Sequence, residues 1–123
     1  MDKIEFEEIV NHAFEHLPDM FRENIENVQF NIEDYPTAAQ LSKLKIRSKY
    51  SLLGLYEGIP LNHRGTWYGS FPTLPDRITL FQKNIESYSE TEIEITDKVC
   101  EVLIHEIGHY FGMTEEEIRN AGY

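Results

Sequence analysis

Apolar residues recur along this chain in two rhythms, one near 3.6 residues and one of two. Ile9, Val10, Ala13, Phe14 and Leu17 follow the first and predict an amphipathic helix over residues 4–16, which Pro18 stops. Pro18 to Asn24 reads as a short second turn of helix. Val28, Phe30 and Ile32 alternate with polar residues and predict a strand over 27–33. Tyr35-Pro36-Thr37 marks a turn ahead of a short helix over 37–45. One strand is expected around Leu52 to Tyr56, and another over Arg77 to Phe81 behind Pro75 and Asp76. From Thr91 to Gly112 the helical rhythm returns, with Thr96 or Asp97 as N-cap and Gly112 as stop. Thr114-Glu115-Glu116-Glu117 then has the form of a capping box opening a last short helix over 114–120.

Between these elements, residues 50–76 are irregular. Gly54, Gly58, Gly65 and Gly69 with Pro60, Pro72 and Pro75 predict turns and short extended pieces, and Trp67, Tyr68 and Phe71 read as loop packing. Helices and strands mix without regular alternation or repeats, so the fold class is α+β in a single domain, 1–123. At 123 residues the chain suits one compact core. Its net charge of −11 argues against nucleic acid or an anionic membrane as partner, since both are bound through basic surface. Cys100 is the single cysteine, so neither a disulfide within the chain nor a thiolate zinc knuckle can form. The acidic, amphipathic start is unlike a secretory signal and no apolar run is long enough for a membrane span, so a cytoplasmic protein is expected.

The chemistry concentrates in His105-Glu106-Ile107-Gly108-His109. On a helix, positions i and i+4 lie about 40° apart and one above the other, so two imidazoles at that spacing aim at one ion. Glu106, about 100° round from His105, is placed to act on water at that ion without ligating it. This is the HExxH arrangement of zinc peptidases. On the same wheel Val99, Val102, Leu103, Ile107 and Tyr110 fill the core face, and both histidines lie at its rim. Cys100 falls far from them and reads as a small core residue. His109-Tyr110-Phe111-Gly112-Met113-Thr114-Glu115 continues the HExxHxxGxx spacing of metzincin-type sites, with Glu115 where the third ligand stands. Three protein ligands leave a fourth position for water. The competing role for Glu115 is a helix-capping carboxylate, and Glu116 is the next ligand candidate if the turn runs one residue longer.

Two other histidine features need a reading. His12-Ala13-Phe14-Glu15-His16 spells the inverted motif HxxEH, but His12 and Glu15 fall outside their helix's core face, so it reads as a solvated surface. His63, in the Gly/Pro-rich stretch, reads as a solvent histidine. Tyr110, Tyr68 and His63 are the candidate donors to a developing oxyanion.

With these residues in view, the chain resembles the small zinc metallopeptidases described as a minimal zincin fold. The likeness also takes in Leu52-Leu53-Gly54-Leu55-Tyr56-Glu57-Gly58-Ile59-Pro60-Leu61 and Leu74-Pro75-Asp76-Arg77-Ile78-Thr79-Leu80-Phe81, and it spans about residues 50–119. The resemblance implies a compact α+β domain with a small mixed sheet and HExxH on its last long helix. It implies one Zn2+ ion held by His105, His109 and Glu115, Glu106 as catalytic base, and a peptide or protein substrate. Two departures stand out. Larger metzincins have a methionine turn downstream of the third ligand, whereas Met113 lies inside the motif here, and the chain is short for a two-lobed cleft. They support a second reading, a zincin-derived binding module with a structural or vestigial metal site.

Overall fold

The computed structural model describes residues 1–58 and 76–122. Helix α1 (Lys3–Glu15) opens under an Asp2 cap, whose carboxylate accepts the Glu5 N–H at 2.8 Å, and buries Phe6, Val10 and Ala13. The short α2 (Asp19–Arg22) follows Pro18 and seats Phe21 in the core. Strand β1 (Val28–Glu33), helix α3 (Ala38–Leu44) and strand β2 (Gly54–Glu57) come next. Then β3 (Asp76–Phe81) runs straight into α4 (Gln82–Ser87), and α5 (Glu92–Tyr110) and α6 (Glu115–Asn120) complete the described chain. His63, Trp67, Tyr68 and Phe71 lie outside the described residues.

The three strands form one sheet in the order β1-β3-β2, with β1 parallel and β2 antiparallel to β3. The fold is therefore α+β with a small mixed sheet. Central position explains the composition of β3: Ile78, Leu80 and Phe81 are buried in succession because both of its faces are covered. Helix α5 is the spine of the packing. It lies against α1, α4, β2, β3 and α6, and it contributes Ile95, Val99, Val102, Leu103 and Ile107 to a core shared with Phe6, Val10, Leu17, Ile78 and Leu80. Among the described residues no helix is long and apolar enough to cross a membrane.

Two local expectations change. The N-cap of α5 is Thr91, whose hydroxyl accepts the Glu94 N–H at 3.2 Å, rather than Thr96 or Asp97. Thr96 lies inside the helix with its hydroxyl donated back to the Glu92 carbonyl, a bond open to any helical threonine. Helix α4 is absent from the sequence reading because it has no capping side chain and only six residues, too few to show a period.

The path into β2 is held by one buried amide. Asn84 of α4 is 1% exposed, and its Nδ2 donates to the Lys49 and Leu52 carbonyls at 2.6 and 2.8 Å. Asn84→Ala strands both carbonyls, and it should lower unfolding stability by about 2–4 kcal/mol in urea titration.

Candidate metal centre

The end of α5 determines what the site can hold. Gly112 takes φ 83°, the left-handed region glycine enters without strain. Its N–H reaches the His109 carbonyl, and the Met113 N–H reaches the Gly108 carbonyl, each at 2.9 Å. This pair of bonds is a Schellman ending, and it turns the chain back along the helix it has just left. Thr114 then caps α6 and closes a capping box with Glu117. Glu117 rather than Glu115 thus serves as the box carboxylate, and Glu115 is available to the histidines.

A second contact brings α6 close. A Cβ on Gly108 would stand 2.6 and 2.8 Å from Cδ1 and Cγ1 of Ile118, so only a glycine lets Ile118 bury itself against α5.

The result is a compact cluster. Glu115 Oε2 lies 3.1 Å from His105 Nε2, and its Oε1 lies 3.0 Å from His109 Nε2. Both histidines are partly exposed at the core rim, as the helical wheel places them. Glu116 is exposed to solvent.

The remaining ring nitrogens fix the tautomers. His109 Nδ1 faces the Met113 carbonyl at 3.2 Å, and His105 Nδ1 faces the Glu101 carbonyl at 3.3 Å. A carbonyl has no proton to give, so Nδ1 must carry it, and a neutral ring then has its lone pair on Nε2. Two such lone pairs directed at one carboxylate repel it unless positive charge lies between. Protons on the rings or a shared cation meet that need.

The donor set suits a metal ion of borderline softness: two imidazole nitrogens held by their opposite N–H, and one carboxylate. The spacing itself is that of hydrogen bonds. Among the described residues no three His, Cys, Asp or Glu groups already surround a common point for an ion. Glu115 is paired one oxygen to each ring, and it would have to draw back from the rings to share them with a cation.

Glu106 sits beside the histidines in a different environment. Its Oε1 accepts the Tyr56 N–H from β2 at 3.0 Å. Burial pushes its carboxyl pKa up; His109, the Tyr56 N–H and His105 pull it down, and Glu115 pushes it up again, with burial the larger influence. A cleft of about 220 Å³ opens in front of it, lined by Leu52, Leu53, Gly54, Val102 and His105.

The other candidates separate cleanly. Cys100 is kept as an ordinary thiol, its pKa raised by burial and then by Asp97. Tyr110, a candidate oxyanion donor, is fully buried. Its hydroxyl donates to the Glu26 carbonyl and accepts the Glu26 N–H, so it braces the approach to β1 and does not face the histidines. His12 and His16 are exposed, their rings 4.2 Å apart, with His16 Nδ1 turned to the His12 carbonyl. His63 and Tyr68 lie outside the described residues. What the sequence did not disclose is the backbone of Tyr56, because a main-chain donor has no signature of its own.

A helix carrying HExxH, laid beside a small mixed sheet and followed by a turned-back acidic residue, is the architecture of zincin-type domains. The sequence profile of a family described as zincin-like metallopeptidase matches residues 25–123, and the chain belongs to that family. No curated protein matches it.

At an open helix position Gly→Ala stabilises by about 1 kcal/mol. Gly108→Ala should do the reverse, lowering the urea midpoint, because the new methyl group meets the buried Ile118.

Proposed function

We propose that the chain, acting as one zincin-like domain, is a zinc-dependent metallopeptidase that hydrolyses peptide or other amide bonds. In this reading His105, His109 and Glu115 hold a single zinc ion, and Glu106 is the general base. The observation that carries it is the convergence of two Nε2 atoms on one carboxylate, next to a half-buried second carboxylate that takes no part in that convergence. When bound, zinc supplies a Lewis acid that acidifies water and polarises the scissile carbonyl.

The chain's own groups do the rest. Glu101 and Met113 carbonyls hold the two rings by Nδ1, so that Nε2 is the donor atom presented. Glu106 takes a proton from the attacking water and returns it to the departing amine nitrogen. The cleft lined by Leu52, Leu53, Val102 and Glu101 borders Glu106 and accommodates an apolar side chain of the substrate.

Three outcomes test this. Glu106→Gln should keep zinc, measured by equilibrium dialysis, while hydrolysis of a quenched-fluorescent peptide library falls by about 10²–10⁴. His105→Ala, His109→Ala or Glu115→Ala should each weaken zinc binding by more than the about ten- to hundredfold that loss of an outer partner costs. Zinc at a hundred times its dissociation constant should raise stability by about 2.7 kcal/mol, and chelator should reverse it in a melting experiment. Hydrolysis that survives Glu106→Gln would overturn the mechanism. Tight zinc binding with no peptide cleaved would favour the binding module.

A further inference from the structure

We propose that Gly54 and the main-chain N–H of Tyr56 are positioning elements for the Glu106 carboxylate: β2 sits so close to α5 that its backbone holds one carboxylate oxygen and leaves the other free to work. The inference rests on Glu106 being the base, and it adds how that base is aimed.

The strand geometry comes first. The Phe81 N–H donates to the Leu53 carbonyl at 3.0 Å, and β2 pairs Leu55 with Thr79 and Glu57 with Arg77. Alternation along an antiparallel ladder turns the backbone groups of residues 53, 55 and 57 toward β3 and those of 54 and 56 away from it. The Tyr56 N–H therefore points away from β3, and there it meets Glu106 Oε1, which reaches it from α5 at 3.0 Å. A hydrogen bond to an ionised acceptor is among the stronger kinds, and it fixes the carboxylate's rotation. Oε2 is left to accept a proton from water.

Gly54 makes that approach feasible. A Cβ at this position would stand 2.6 Å from Val102 Cγ1, 3.1 Å from Glu106 Cγ and 3.5 Å from Leu80 Cδ2. Val102 and Glu106 are one turn apart on the same face of α5, so position 54 lies over the space between them. Val102 cannot swing clear, because a β-branched side chain in a helix is held to one rotamer. Any residue larger than glycine must push β2 off the helix, and the Tyr56 N–H moves with it.

The test uses hydrogen exchange at the Tyr56 amide in metal-free protein, read by NMR, together with zinc affinity and steady-state kinetics. In the wild type the amide should be protected at least about tenfold over Glu106→Ala, and Glu106→Gln, which keeps the acceptor oxygen, should retain that protection. Gly54→Ala should lose it, with zinc affinity unchanged and kcat down by about ten- to a hundredfold at constant KM. Gly54→Ala/Val102→Ala, relieved of the 2.6 Å contact and left with only the milder one to Glu106 Cγ, should regain most of the protection and of the kcat of Val102→Ala alone. Equal exchange of the Tyr56 amide in wild type and Glu106→Ala would overturn the proposal, whatever Gly54→Ala does to folding. No recovery in the double variant would remove Gly54 from it. If the wild type cleaves no peptide while the amide results hold, the enzymatic reading fails and the clamp on Glu106 stands. If it cleaves peptides and the amide is unprotected, the clamp alone fails.

Discussion

The contact between β2 and α5, with only a hydrogen atom at position 54 separating strand from helix, is the constraint on which the site depends. A sheet packed on a helix normally keeps a layer of side chains between the two backbones. Here that layer is missing at one position, and the strand's main chain comes within hydrogen-bonding reach of a helical carboxylate. The same closeness half-buries Glu106 while Glu115, on α6, remains exposed. Two carboxylates beside the same pair of histidines thus have different surroundings. One is half-buried and tied to the sheet; the other is exposed and tied to the imidazoles. Chemistry that needs a base and a ligand can draw on that difference.

The histidines show how much a backbone contributes to a side-chain site. Their spacing is dictated by helical geometry, but their usefulness depends on which nitrogen faces outward, and two carbonyls decide that. One of those carbonyls belongs to Met113, which reaches its place only because Gly112 reverses the chain. The glycine therefore acts twice, ending the helix and presenting an acceptor to the helix's own last histidine.

How much of this was readable depended on whether a feature belongs to one segment or to two. The HExxH pair, the glycine stop and the capping box lie within single stretches, and their periods and end signals are written in sequence order. The rim position of His105 and His109 followed from the apolar arc of Val99, Val102, Leu103, Ile107 and Tyr110, all of which are buried. Tyr110 shows the limit. Its place beside the motif suggested a catalytic donor, yet its ring is fully buried in the core, where Glu26 from a distant segment takes up the hydroxyl. Gly108, Gly54 and the Tyr56 N–H were silent for a related reason. Each matters because of a partner more than nine residues away, and a glycine's missing methyl group or a main-chain donor leaves no pattern to detect. Helix α4 escaped notice because it inherits its start from a strand and has no cap of its own.

Helix α6 brings a further consequence. It spans six residues, and Ile118, seated against Gly108, is its one buried side chain. Such a unit can detach while the core persists, since local opening costs far less than global unfolding. Because Glu115 rides on it, each detachment withdraws the carboxylate from both rings in a single step. Under the proposed zinc-binding reading, occupancy of the histidine pair and docking of this helix would be one linked equilibrium, with the shared cation as the latch that keeps α6 docked.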